Sequence, residues 1–420
     1  VTGVRGKGRV HVIGAGLAGL SAATRLAERG VAVTLSEGAA QAGGRCRSYH
    51  DPQLDLTIDN GNHLVLSGNR AVMTYLERLG AQDRLAGPAK ADLAFMDLRD
   101  GTRWRLRPND GPLAWWVFAK GRRVPGAKAA DYLPLASLLW RHPGKRIDQV
   151  LKPQGVLWER LLEPFFLAAL NTAAVDGSAD LAGAVVRETL ARGGQACRPR
   201  IAHPTLAAAF VEPALAYLQA KGAQVRLGCR LRSLQTQDGA VSALDFSDGQ
   251  VQLAPGETVV LAVPPWQAQA LLPGLSAPDA FRAIVNGHFI VPAHERPAEA
   301  PLTTGLIGGT AEWLFVFEDR VSVTVSGADA IVDDNREDLA VRLWADVAQV
   351  LGLGDRPLPP WQIVKERRAT FAATAEQDAK RPGAKTALSN LLLAGDWTQT
   401  GLPATIEGAL RSGETAAALV

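Results

Sequence analysis

The first clear hydrophobic pattern is an unbroken apolar run, Val10 to Ile13, followed by Gly14, Gly16 and Gly19 and then apolar positions at Leu20, Ala23, Leu26 and Ala27. A short apolar run fits a buried strand, and the three-to-four spacing after the glycines fits one face of a helix. Ala32 to Leu35 reads as a second buried strand that ends at Glu37. The pattern predicts a strand, helix, strand unit. Further on, "QVRLGCRLRSLQTQDGAVSALDFSDGQ" alternates apolar and polar positions around Asp238-Gly239 and Asp248-Gly249, which predicts strands joined by tight turns. Val259 to Val263 is again continuously apolar and stops at Pro264-Pro265. "WLFVFEDRVSVTVSG" predicts alternating strands and "REDLAVRLWADVAQVLG" a helix, whereas Pro88 to about Gln195 shows only short helical patterns mixed with aromatic and basic residues. Near the end, Leu391 to Ala394 reads as a buried strand and Gly395-Asp396 as its turn; a helix follows with Ile406, Ala409, Leu410 and Ala416 on one face.

With 420 residues, 47% of them hydrophobic and 21% charged, the chain can bury a large core and predicts two domains. Lys and Arg number 45 against 42 Asp and Glu, a net charge of +3, so no global field points to nucleic acid. Cys46, Cys197 and Cys229 lack CxxC spacing and a His cluster, which argues against a metal site or a disulfide framework and for a reducing cytoplasm. The basic leader runs into a strand without an apolar signal segment, and no apolar window reaches membrane-spanning length, so a soluble or peripheral protein is expected.

The glycines carry the first chemistry. Gly14 makes the tight turn, Gly16 lets a pyrophosphate approach the backbone, and Gly19 lets helix and strand pack closely, with Ala18 in the first helical turn. Phosphate then sits at the helix N-terminus, and Glu37 is placed to accept hydrogen bonds from a ribose. Gly43, Gly44 and Arg45 follow directly. This second signature resembles that of the FAD-binding amine oxidase and phytoene desaturase superfamily. The resemblance implies a discontinuous Rossmann-type α/β FAD-binding domain, residues 1–87, 196–272 and 382–420, and an α+β substrate domain, residues 88–195 and 273–381. It implies bound FAD, with Arg45 along the pyrophosphate and ribityl region, the Leu231 backbone at the adenine, and Asn60 and Gly61 of "IDNGNH" passing the ring. Gly395 and Asp396 would lie at the ribityl and phosphate region. Ala404, Thr405 and Ile406 would form a helix start whose free N–H groups face the flavin. His63 and Asp59 either face the flavin or belong to a buried turn that caps backbone groups. Glu407 is either catalytic or a first-turn glutamate favoured by the helix dipole.

"IDNGNHLVLSGN", "RVPGAKAADYLPLASL", "KERRATFAATAEQDAKRP" and "LLLAGDWTQTGLPATIEGALRSGETAA" are similar to the squalene-associated branch, the hydroxysqualene dehydroxylases. That likeness implies reductive removal of an allylic hydroxyl from a long isoprenoid, yielding squalene for hopanoid synthesis, with a squalene-synthase-like enzyme upstream and an unidentified flavin reductant. His63 is the first candidate acid, with Asp59 to orient it; Arg367 and Arg368 lie either near the flavin or on the surface. Trp115, Trp116, Phe118, Leu138, Leu139 and Trp140, interleaved with Lys120, Arg122, Arg123, Lys128, Arg141, Lys145 and Arg146, suit an interfacial anchor on the inner face of the cell membrane or a substrate tunnel with solvated charges. The rival readings are a carotenoid-type desaturase, an amine or porphyrinogen oxidase, and a non-catalytic lipid-carrying flavoprotein.

Overall fold

The structure is a computed structural model that describes residues 8–420; the leader, residues 1–7, lies outside them. Five strands form an all-parallel sheet in the order Gln224–Arg226, Val33–Ser36, Val10–Ile13, Thr258–Leu261, Leu391–Leu393. Parallel sheets are covered on both faces, which is why the central strands read as continuous apolar runs. Every residue of Val10–Ile13 and Val33–Ser36 is buried. The chain leaves Val10–Ile13 toward one side for its next strand and places Thr258–Leu261 on the other. The end of Val10–Ile13 is thus a topological switch point, the place where such sheets open a crevice for ligands.

The C-terminal segment completes this unit. Its strand, Leu391–Leu393, forms one edge of the sheet, and its helix, Ile406–Ala418, packs on the first helix, Leu17–Glu28. Ser21 Oγ donates to Leu410 O at 2.8 Å, and a Cβ at Gly413 would stand 2.3 Å from Ala18 O. Two helices meet this closely only where a side chain is missing.

The second sheet has seven strands in the order Trp361–Phe371, Phe281–Ile290, Arg320–Val325, Trp313–Val316, Thr303–Ile307, Leu93–Asp97, Arg103–Leu106. All neighbours are antiparallel except Thr303–Ile307 with Leu93–Asp97. The last two strands correct the expectation of helical patterns alone after Pro88: each is only four or five residues long, too short for alternation to stand out. The rest of that segment does carry short helices, among them Ala129–Leu139, Glu163–Leu170 and Ala179–Glu188. Side chains alternate across the sheet. Val285, Phe289, Leu314 and Val323 pack against Leu339, Leu343 and Val347 of the helix Arg336–Leu351. Asn286, His288, Ser322 and Thr324 occupy the opposite positions, and this inner face meets the "IDNGNH" loop: Asn62 Nδ2 donates to Thr324 Oγ1 at 3.1 Å and to Val323 O at 3.3 Å.

Candidate active site

The two glycine signatures fold onto each other. Gly14 has φ +103°, and Gly43 and Gly44 have φ +108° and +56°, conformations that side chains with a Cβ rarely adopt. Gly43 N donates to Ala15 O at 2.8 Å, and a Cβ on Gly44 would lie 3.4 Å from Gly16 Cα. A Cβ on Gly16 would meet nothing within 4 Å, so this turn faces open space. A Cβ on Gly19, by contrast, would stand 1.8 Å from Gly14 O, which fixes how tightly the turn closes on the helix that starts at Leu17 beside Ala18. Glu37 closes the other end. Its carboxylate accepts the Ala15 and Ala39 amides at 2.7 and 2.8 Å and retains lone pairs for further donors. Leu231 lies close by, since the Cys229 amide two residues earlier donates to Glu37 O at 2.7 Å.

Arg45 ties three distant segments together. Its Nη2 reaches both Asp396 carboxylate oxygens at 2.8 Å and its Nη1 donates to Ala369 O at 2.5 Å. Desolvation works against this charge, but Asp396 outweighs it and the guanidinium stays above its usual pKa. The Gly395 turn is held from beneath. Gly395 N donates to Ser412 Oγ at 2.8 Å, and the buried Arg381 donates to Thr398 O at 2.8 Å and to Asp396 O at 3.1 Å. Nothing in the sequence pattern singled out Arg381. Thr405 is the cap residue of the last helix, its Oγ1 accepting Gly408 N at 3.0 Å, and Ala404 and Ile406 flank it.

The "IDNGNH" loop divides into structural and open groups. Asp59 is buried; its Oδ1 accepts Ser48 Oγ at 2.6 Å and Leu206 N at 2.9 Å. Burial pushes its carboxyl up, and the Ser48 and Leu206 bonds oppose that. Asp59 makes no hydrogen bond to His63 among the described residues, which corrects the expectation that it orients the imidazole: its carboxylate is engaged at the start of the 206–220 helical segment. Asn60 Nδ2 donates to Glu366 Oε2 at 3.3 Å, and Gly61 lies against Asn286, where a Cβ would come within 3.1 Å of Nδ2. His63 is surrounded by protein yet keeps partial solvent access, and neither ring nitrogen has a partner among the described residues. Burial, then Arg45, lower its pKa to about 4, so the imidazole is neutral at pH 7 and is a poor proton donor there.

Three other residues fall away from the site. Glu407 is buried, and its two oxygens accept the Ala71 and Val72 amides at 3.0 Å, capping the helix Arg70–Leu79 from outside. Its position in its own helix's first turn matches the sequence reading; the helix it caps does not. Arg367 is exposed and pairs with Asp333, whereas Arg368 lies 4.9 Å over the Trp266 ring, itself packed edge-on to Phe281.

An open glycine cradle at a switch point, a carboxylate at the end of the second strand and a backbone-rich C-terminal turn define a dinucleotide-binding oxidoreductase fold. The model of the family "Flavin containing amine oxidoreductase" matches residues 17–420, and the chain belongs to that family. Within it, the chain is 52% identical to "Hydroxysqualene dehydroxylase" of Rhodopseudomonas palustris over 98% of this chain and 98% of the relative. It is 48% identical to the protein of that name from Zymomonas mobilis over 97% and 98%. These likenesses set it among the hydroxysqualene dehydroxylases. A solved oxidoreductase from Methanosarcina mazei shares the fold, with TM-score 0.73 at 15% identity over 97% of this chain and 99% of that one. The chain is therefore an FAD-dependent oxidoreductase, and the glycine cradle, Glu37, Arg45 with Asp396, and the helix start at Thr405 fit that cofactor.

Proposed function

We infer that the protein replaces the allylic hydroxyl of hydroxysqualene with hydrogen to give squalene. The observation that carries this reading is the near-full-length identity of about half with two hydroxysqualene dehydroxylases. FAD, bound and reduced, would supply hydride at the carbon that loses oxygen. Gly14, Gly16, Gly43 and Gly44 would admit its phosphates and Glu37 its ribose, with Arg45, Asp396 and the Thr405 helix start toward the flavin. His63, neutral and with both nitrogens free, can hold a polar group by hydrogen bond without donating charge. The protein must also exclude water while the allylic carbon is electron-poor.

The substrate is a long isoprenoid alcohol that partitions into lipid, so it has to be collected from a membrane. Leu113, Trp115, Phe118, Leu133 and Trp140 are 79%, 52%, 75%, 72% and 66% exposed, a concentration of apolar surface that a soluble exterior does not explain. Their segments are joined by Trp116 against Tyr132, ring centroids 5.3 Å apart, so the exposed residues belong to one unit. Trp116 and Leu138 point inward and are not part of this surface. Exposed Lys120, Lys128 and Lys145 border it, a pattern that favours anionic lipid on the inner face of the cell membrane. No helix among the described residues is long and apolar enough to cross a membrane.

One experiment tests both parts. Photoreduced protein, kept anaerobic, is mixed with hydroxysqualene in anionic or neutral liposomes while flavin absorbance and product are followed. Reoxidation with stoichiometric squalene is expected, faster from anionic vesicles, and slowed at least tenfold in the Trp115→Ser, Phe118→Ser, Trp140→Ser protein. Flavin that stays reduced overturns the dehydroxylase reading; equal rates for the triple variant overturn membrane collection alone.

A further inference from the structure

The outermost strand of the seven-stranded sheet, Trp361–Phe371, has one free edge, and a cleft of about 230 Å³ lies along it. Arg47 and Tyr49 line it from the segment that enters the strand Ser48–Asp51, Arg336 from the start of the helix Arg336–Leu351, and Lys365 and Glu366 from the edge strand itself. Three cations thus stand around one carboxylate. None of the three forms an ion pair among the described residues: Arg47 donates to Gly44 O at 2.9 Å and Lys365 to Asp334 O, both carbonyls, and Arg336 has no partner there.

The acids nearby are engaged with other groups. Asp333 pairs with Arg367 at 2.6 Å, Asp334 pairs with Arg342, Asp51 accepts Gln362 Nε2 at 2.8 Å, and Glu366 Oε2 accepts Asn60 Nδ2 at 3.3 Å. Glu337 and Asp338, in the first turn of the helix, do not line the cleft. Burial, then Asp51, raises the Tyr49 pKa while Arg47 and Arg336 oppose the rise, so both guanidinium groups act on the same hydroxyl. Scattered surface cations are solvated singly, but cations that converge on one concave wall concentrate an anion.

The cleft abuts the cofactor side without being part of it. Arg47 holds the carbonyl of Gly44 in the second glycine turn, and Asn60, which also lines the cleft, belongs to the loop that carries His63. None of the cradle glycines lines it, nor do Glu37, Arg45 or Asp396. A long isoprenoid gains nothing from so polar a cavity. Each turnover, however, leaves the flavin oxidised, so the reaction consumes a reductant that has to come from outside.

Resting on the dehydroxylase reading, we propose that this cleft grips the phosphate monoester of a soluble hydride donor, the adenosine 2′-phosphate of a reduced nicotinamide dinucleotide, which recharges the flavin. Guanidinium forks take phosphate oxygens two at a time, and a dianion suits three cations set against one carboxylate. Arginine beside a ribose is how a 2′-phosphate is accommodated elsewhere. The volume lies below the roughly 300 Å³ at which pockets enclose a whole small ligand, so the cleft holds the phosphate end and leaves the redox ring outside. The C4–H bond of the dihydronicotinamide breaks and its hydride passes to the flavin: NADPH + FAD gives NADP⁺ + FADH⁻.

The test variant is Arg336→Glu, since Arg336 is exposed and makes no hydrogen bond whose loss could unfold the chain. Titration calorimetry of the oxidised holoprotein should show binding of adenosine 2′,5′-bisphosphate and none of adenosine, weakened about tenfold or more in R336E and restored in Arg336→Lys. In anaerobic mixing, NADPH should reduce the flavin at a half-saturating concentration about tenfold higher in R336E, with the limiting rate within about twofold, and wild type should favour NADPH over NADH by a similar factor. No binding of the bisphosphate, or equal half-saturation in the two proteins, overturns the proposal. Arg336-dependent binding of phosphatidic acid vesicles without binding of the bisphosphate overturns it in favour of a lipid headgroup, and a fall in flavin content of R336E overturns it in favour of the cofactor itself. Photoreduced protein that makes squalene but is not reduced by NADPH removes the donor and leaves the dehydroxylase reading intact. Photoreduced wild type that leaves hydroxysqualene unchanged removes that reading, while calorimetry still decides the phosphate site.

Discussion

The cofactor cradle and the inner face of the seven-stranded sheet solve recognition by different means. The cradle is built from backbone: Gly14, Gly16, Gly19, Gly43 and Gly44 act by lacking side chains, and a few residues such as Glu37 and Arg45 close the ends. The sheet works through side chains, Asn286 and Thr324, which meet Asn62 and whose positions depend on how strands far apart in sequence come into register. A site of the first kind fails abruptly when a side chain is added. A site of the second kind fails by degrees, as single hydrogen bonds are removed.

Gly19→Val is the sharpest way to break the cradle. The added Cβ would overlap Gly14 O, both partners are backbone, and neither can rotate away. Soluble protein with a flavin spectrum should not be recovered; yellow protein with normal absorbance would show that the turn can open without losing its ligand. The expectation holds although the residue lies in a helix that would otherwise favour substitution of glycine.

What the chain disclosed follows the same divide. The parallel sheet and its glycine loops were legible because a fully buried strand and a tight turn restrict residue type locally. The strands Leu93–Asp97 and Arg103–Leu106 were not, since both are short and the first joins the sheet by pairing with Thr303–Ile307, far away in the chain, while the second only adds to its outer edge. Asp59 was the most misleading position. An acid beside Gly61 and His63 suggests a catalytic pair, but its Oδ1 is bonded by Ser48 and Leu206, contacts no local pattern reveals.

A milder test falls between the two regions, at Glu407. Truncation by Glu407→Ala leaves the Ala71 and Val72 amides without acceptors and removes one of the two carboxylates that hold Arg411, which pairs with Glu407 at 3.0 Å and with Glu188 at 2.8 Å. The loss should be about 2–3 kcal/mol in stability, measured by urea unfolding of the holoprotein. Its kcat at 25 °C should stay within about twofold of wild type, since the carboxylate faces a neighbouring helix. A large fall in kcat with unchanged stability would return Glu407 to the chemistry.

The smallest effect is expected at His63, and it separates a neutral imidazole from a charged one. The folded pKa is about 4 against 6.5 for the free side chain, so the folded state binds fewer protons than the unfolded chain between those values. The stabilising contribution is present above pH 6.5 and is lost as pH falls toward 4. His288, lowered to about 3 by burial first, behaves alike and remains in a His63→Gln protein, so the difference between the two proteins isolates His63. Wild type should lose about 1–2 kcal/mol more than His63→Gln between pH 7 and pH 5. If both proteins lose the same amount, the imidazole takes up its proton as readily in the folded protein as in the unfolded chain, and burial does not hold it neutral.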